Sequence, residues 1–541
     1  MMTNFIRSPK KDGYDYIIIG SGSAGSVVAS RLAEDPARTI LLIEAGGSDR
    51  SIGIAMPAAM GLPLMSDRYN WKYTGVPEGS GKDTGVYQPR GKVLGGSSSI
   101  NGMNWMRGNR EDYDSWADLG VQGWSYDEVL PYFKRSETFE EGENEYRGGS
   151  GPVQVERSRI DNPLFQAFLA AGVEAGYGEN PDHNGTYQHG VHRIQRNIGN
   201  GRRMSASFAY LHNRPHRPNL DILLNTRVIR LRFEGRRCVA VEAIRNGVRM
   251  TIPVLAEAIC CAGALVSPQL LMLSGIGDAE HLREVGIPLV SHLPAVGRGL
   301  SDHTCFCLEY EVNDPRESAA HTLSLGGRLR LGLEWLLFRR GTGVSNHFEV
   351  GAMLSTDTAV NRPDMQIECV AMRADFGARG INIGPGYQCF LSLQRPTSTG
   401  RVWLGSADPL APPAFRFNYL STDYDQELAV AAIKQLRDLM GQSSMARKLK
   451  GEVGDHAGLR SDRELLAWAR KAAESNYHPS CTLRMGTGEQ SVVDSSAKVH
   501  GIDNLRVIDA SIFPTIPTAN LNAPTIMLAE KLSAQIMQPS A

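Results

Sequence analysis

The clearest rhythm of hydrophobic and polar positions lies near the N-terminus. Tyr16–Ile19 is a short apolar run, Thr39–Ile43 is a second, and a helical pattern continues through Leu32 between them. That order predicts strand, helix and parallel strand, the repeat of a doubly wound fold. The rhythm changes over residues 155–200 and 310–470. There "QCFLSLQ" (388–394) and "GRVWLG" (400–405) alternate as strands of a separate sheet do, and "LSTDYDQELAVAAIKQLRDLM" (420–440) predicts an amphipathic helix. "RLRLGLEWLLFRRG" (328–341) mixes leucines and a tryptophan with arginines. It predicts a core helix with a basic surface, with a peripheral membrane or quinone contact as the alternative.

Composition adds mainly exclusions. The 541 residues are 42% hydrophobic and 21% charged, with a net charge of −1, which gives no footprint for nucleic acid. No run of about 18 apolar residues is present to span a bilayer. The opening "MMTNFIRSPKKDG" lacks the apolar stretch of a secretory signal. The eight cysteines show no zinc-like pairing and are expected to be reduced thiols of a cytoplasmic protein. His189 and His192, in "QHGVHR", have no carboxylate or cysteine to complete a metal site, and no metal is expected.

The turn after the first strand carries chemistry. In Gly20-Ser-Gly22-Ser-Ala-Gly25, the first glycine makes the turn and the second lets a pyrophosphate approach the backbone. The third lets helix and strand pack closely. Glu44 ends the second strand, where a carboxylate accepts from ribose hydroxyls. This fingerprint predicts a dinucleotide without a 2′-phosphate and leaves FAD and NAD undistinguished. A second glycine-rich loop, "GKVLGGSSSINGMNWMRGNREDYDSW" (91–116), reads as a turn or as a backbone cradle for a second phosphate or a flavin ring.

That loop resembles the first signature of the glucose–methanol–choline (GMC) oxidoreductases, and "GALVSPQLLMLSGIG" (263–277) resembles the second. "VGRGLSDH" (296–303), "YHPSCTLRMG" (477–486) and "LRVIDASIFPTIPTANLNAPTIMLAEK" (505–531) extend the resemblance over nearly the whole chain. "INGMNWMRGN", "NPLFQAF" and "SNHFEVGAM" point to the choline dehydrogenase-like branch.

The resemblance implies a Rossmann-like FAD-binding domain interleaved with an α+β substrate domain built on an antiparallel sheet. The FAD-binding parts are residues 1–155, 201–309 and 471–541, and the substrate parts are 156–200 and 310–470. It implies FAD at Gly20, Gly22, Gly25, Glu44, Gly95, Gly96, Ser97, Asn101, Asn104, Val228 and Asp509. Some relatives attach the flavin through a histidine where this chain has Ile100, so non-covalent FAD is expected.

His478, flanked by Tyr477 and Pro479, is expected to be the base that takes the hydroxyl proton. Asn522 is expected to polarise the substrate oxygen, with Asn520 as competitor, although Asn522 also reads as a helix N-cap. Glu349 matches an acid that faces the cationic group of choline, and Tyr477 and Phe348 offer aromatic faces for its methyls. The expected reaction is oxidation of a primary alcohol, choline or a choline-like or apolar one, to an aldehyde. The alternative is an oxidase or lyase acting on an aryl or aliphatic alcohol. Quinone and oxygen remain open as electron acceptor.

Overall fold

The computed structural model describes residues 5–6, 8–79, 82–357, 362–377 and 380–538. Residues 1–4 and 7, part of the segment expected to carry no leader, lie outside the described residues.

Two sheets organise the molecule. In the first, Leu220–Leu223, Ile40–Ile43, Tyr14–Ile19, Val248–Cys260 and Leu505–Val507 lie side by side and parallel. Their apolar runs are buried on both faces, as parallel strands must be when helices cover them. Val248–Cys260 outruns its neighbours and continues as an antiparallel meander with Arg237–Arg245 and Thr226–Glu234. The helix Ser23–Leu32 crosses this sheet and packs against the last helix, Asn522–Met537. Arg31 bridges the two helices through a buried pair of bonds to Glu530, at 2.8 and 2.7 Å, and the Tyr210 hydroxyl donates to the same carboxylate at 2.7 Å.

The second sheet is antiparallel throughout. Its order is Leu449–Val453, Thr304–Val312, Tyr387–Leu393, Met365–Val370, Val350–Leu354 and Gly190–Arg193. The helix Asp423–Met440 packs on one side of it, close to the amphipathic stretch predicted from sequence.

Some boundaries differ from expectation. Thr304–Val312 straddles the expected division at 309/310, and Glu474–Ser475 joins the second sheet although 471–541 was assigned to the other domain. Gly400–Trp403 does not enter the second sheet. It pairs with Arg298–Leu300 and Ala414–Arg416 in a small separate sheet.

Candidate active site

The glycine loop behaves as its spacing demands. Gly20 has φ 96°, and a Cβ there would meet the Cys261 carbonyl oxygen at 2.6 Å. At Gly25 a Cβ would lie 1.9 Å from the Gly20 oxygen, so only glycine lets the helix start this close to the strand. Gly22 instead faces open space. Gly96, from the second loop, comes so near that its Cβ would fall 2.7 Å from Gly22 Cα, so the two loops form one cradle. Glu44 is buried at its rim and accepts from the Ser21 hydroxyl at 2.6 Å and the Gly46 amide at 2.7 Å. The strand carrying Val228 starts beside it, with Thr226 N donating to the Glu44 carbonyl at 2.9 Å.

The other expected cofactor residues divide. Gly95 (φ 89°) makes the second turn, and the Ser97 hydroxyl accepts from Gly91 N at 3.1 Å. Asn101 Oδ1 accepts from Arg203 at 2.8 Å. Asp509 is saturated by Gly263 N (2.8 Å), the Ser267 hydroxyl (2.6 Å) and Ser511 N (2.8 Å), so it braces the second signature against the C-terminal segment. Asn104 does not turn to this cradle. Its amide nitrogen donates to Glu368 under the antiparallel sheet, and its oxygen accepts from Asn346 at 2.9 Å.

His478 is held by pairing between two loops. Ser301 and Ser480 exchange backbone bonds at 3.1 and 2.9 Å, and Asn476 N donates to the His303 carbonyl at 3.0 Å. This register sets the two imidazoles together, Nδ1 to Nδ1 at 2.9 Å. Asp302, next in line, accepts from the His478 amide at 2.8 Å, from the Tyr419 hydroxyl at 2.6 Å and from the Ser475 hydroxyl. Burial pushes the Asp302 carboxyl up to about 6. Tyr477 takes a left-handed backbone (φ 64°), fixed by Arg90 donating to its carbonyl at 2.7 Å. Its ring is 44% exposed.

Burial, then His303 and Arg90, hold His478 well below the usual imidazole range, and burial takes His303 down to about 3. Both rings are therefore neutral at pH 7. Opposite His478 Nε2 lies the Asn520 amide nitrogen, at 3.4 Å. Asn520 is oriented by Gln366 Nε2 donating to its oxygen (3.1 Å) and by its own nitrogen donating to Glu368 (3.3 Å). The Asn520 amide before Nε2 favours the tautomer in which Nε2 accepts and the His478 ring proton is on Nδ1, towards His303.

Asn522 lies elsewhere. Its side-chain oxygen accepts from Ser23 at 2.7 Å, at the start of the first helix, and its buried nitrogen has no hydrogen-bond partner. Asn520, and not Asn522 as expected, is thus the asparagine beside His478. The last helix begins at Asn522, so the two residues preceding it remain in the loop that reaches His478.

Glu349 also departs from its expected part. It is buried, and Arg196 donates to its Oε1 at 3.3 Å, as does the Ser345 hydroxyl, while the same guanidinium pairs with Glu156 at 2.9 Å, so Glu349 already has a cationic partner of its own. The carboxylate beside Asn520 and His478 is Glu368, which sequence reasoning missed. It lies on Met365–Val370, where Gln366 and Glu368 alternate with the buried Ile367 and Cys369. Its hydrogen-bond donors are the amides of Asn104, Asn520 and Gln366, and burial raises its pKa. The alternation "MQIECV" was the available signal, and the "DH" of "VGRGLSDH" was the signal for Asp302 and His303.

The cradle fits the dinucleotide. Gly22 leaves room for a pyrophosphate, Glu44 ends the second strand beside it, and the unpaired Asn522 nitrogen is a donor at the junction of two helix N-termini. Among the described residues no group of three or more His, Cys, Asp or Glu side chains is arranged to hold a metal.

Comparison with known proteins agrees with this arrangement. The two GMC oxidoreductase family models match residues 14–305 and 396–529. The oxygen-dependent choline dehydrogenase of Burkholderia multivorans is 43% identical over 528 residues, covering 97% of this chain and 93% of that protein. Pyridoxine 4-oxidase from Mesorbium loti superposes with a TM-score of 0.86 at 30% identity, over 96% of this chain and 99% of its own. Formate oxidase gives a TM-score of 0.90 at 26% identity, over 97% and 99%. With the double-glycine cradle, the paired imidazoles and these relatives in agreement, the chain belongs to the GMC oxidoreductase family and is an FAD-dependent alcohol oxidoreductase.

Proposed function

We propose that this enzyme oxidises a primary alcohol bearing a cationic group, with choline as the leading substrate. One observation carries the reading: Glu368, a buried carboxylate with no cationic partner among the described residues, shares the Asn520 amide with the base His478. A carboxylate in that position balances a quaternary ammonium. The 43% identical relative is named for choline.

His478 Nε2 takes the hydroxyl proton, which it accepts readily because the ring is neutral and His303 holds its Nδ1–H. Asn520 donates to the oxygen as negative charge develops. Asp302 and the Arg90–Tyr477 contact fix the base by holding its backbone, so the imidazole needs no reorganisation when substrate arrives. Bound FAD supplies the two-electron acceptor for the alcohol carbon. Ile100 offers no nucleophile for attachment, so the flavin is read as dissociable. Oxygen is read as the terminal acceptor because the relative is named oxygen-dependent.

Anaerobic mixing of the yellow holoenzyme with choline, and separately with an apolar primary alcohol, tests the substrate. Saturable bleaching by choline supports the reading, whereas bleaching by the apolar alcohol alone removes the cationic role of Glu368. Readmitting air to the reduced enzyme tests the acceptor. Reoxidation faster than turnover supports oxygen. Slow reoxidation in air with fast turnover on a soluble quinone rejects it.

A further inference from the structure

The helix Leu325–Phe338 is not the core helix its leucine content predicts. Leu331 and Trp335 are buried, with Trp335 packed against Ala55 and Val344 and its indole N–H donating to the Gly201 carbonyl at 2.6 Å. The other leucines face outward. Leu325, Leu329, Leu333, Leu336 and Leu337 range from 50% exposed (Leu336) to 81% (Leu325). Their spacing of i, i+4, i+8, i+11 and i+12 makes one stripe along the solvent side. Single exposed leucines are unremarkable, but a stripe of five on one helix needs a partner.

Charge identifies the partner. Residues 325–340 hold four arginines and one glutamate in a chain whose net charge is −1. Arg328 and Arg330 fall on either edge of the stripe by helical geometry, and Arg339 and Arg340 follow its C-terminal end, all four exposed. Glu334 falls beyond Arg330 on the same side of the stripe and is paired with Arg340 at 3.9 Å. An apolar stripe edged by cations is the pattern of a helix lying in a membrane interface, with leucines among the acyl chains and guanidinium groups at anionic headgroups. The helix has 14 residues, and among the described residues no helix is long and apolar enough to cross a membrane.

We propose that Leu325–Phe338 seats this enzyme on an anionic membrane surface without inserting across it. Trp335 ties the helix to Ala55, in a segment whose Ile54 carbonyl accepts from Arg203 at 2.9 Å, and Arg203 also holds Asn101 of the second glycine loop. The docking helix is therefore linked to the second glycine loop through Ala55 and Arg203. The inference is independent of which alcohol is oxidised.

Co-sedimentation of the holoenzyme with phosphatidylcholine vesicles, with and without 30 mol% phosphatidylglycerol, tests it. Binding is expected to the anionic vesicles and to weaken with added salt. Replacing Arg328 or Arg330 by glutamine should reduce it on the order of fivefold each, as expected for removing one cation from a charged surface. The double variant Leu329→Glu/Leu333→Glu should abolish binding while retaining FAD and its rate of flavin reduction by alcohol, since both side chains are already solvated. Equal binding to both vesicle types, or none to either, would overturn the proposal. So would a concentration-dependent dimer in sedimentation velocity that the double variant dissolves, since the stripe would then belong to a second copy of this chain.

Discussion

The two halves of the molecule reach function by different routes. In the dinucleotide half, function follows from backbone shape. Gly20 and Gly25 are required by contacts at 2.6 and 1.9 Å, and almost any strand–turn–helix with that spacing would build the same cradle. In the substrate half, function follows from register. Which loop residue meets His478, and which strand residue faces it, depends on single-residue offsets that spacing does not reveal. Asn520 and Asn522 show this directly, since one belongs to the catalytic loop and the other, two positions on, to the cradle. The halves also differ electrostatically. The cradle presents backbone donors, whereas the substrate side presents two buried glutamates, one beside Arg196, which it shares with Glu156, and one bonded to amides.

Several substitutions sharpen this contrast. The largest effect is expected at the base. His478→Ala should slow anaerobic flavin reduction by about 10²–10⁴-fold, with the bound flavin spectrum retained. Glu349→Gln should act on stability, because Arg196 loses one of its two carboxylate partners and keeps Glu156 at 2.9 Å. A loss of about 1–3 kcal/mol in denaturant unfolding is expected. Glu368→Gln should instead raise KM for choline by about ten- to hundredfold, the range for losing one contact to a charged group, with a smaller change for a neutral alcohol.

The pH dependence separates the halves again. Because His478 is depressed below its ordinary value of about 6.5, it remains a competent base as pH falls through that value. The acid limb of kcat/KM is therefore expected below pH 6.5, and a limb at or above 6.5 would contradict a buried neutral base. Stability has the same sign. His303 is depressed to about 3, so the unfolded chain takes up a proton below about 6.5 that the folded protein refuses until about 3. The melting temperature should decline as pH drops through that window, and His303→Gln should flatten part of the decline.

What the sequence made legible follows the same division. The first strand, its glycines and Glu44 were readable because one local pattern specifies each of them, whereas His478 stood out only through the family resemblance of its motif. Asp302 and His303 were passed over because their importance comes from pairing with residues about 175 positions later. Glu349 stood out by its motif, yet Arg196, from a different strand, pairs with it. Glu368 was hidden in a strand that reads as buried, where only Gln366 two places earlier hints at a polar face. The helix at 325–338 was misjudged because leucine content predicts burial, while its orientation is set by the anchor at Trp335.

The central claim is that Asn520 serves the substrate and Asn522 the cofactor. The most direct measurement is anaerobic stopped-flow reduction of FAD-loaded wild type, Asn520→Ala and Asn522→Ala by choline, alongside FAD affinity by fluorescence. The account predicts that Asn520→Ala slows flavin reduction by about 10²–10³-fold with FAD affinity unchanged. Asn522→Ala is predicted to weaken FAD binding while the FAD-saturated enzyme reduces at nearly the wild-type rate. The reverse pattern, slow reduction in Asn522→Ala with full FAD affinity and normal reduction in Asn520→Ala, would contradict it.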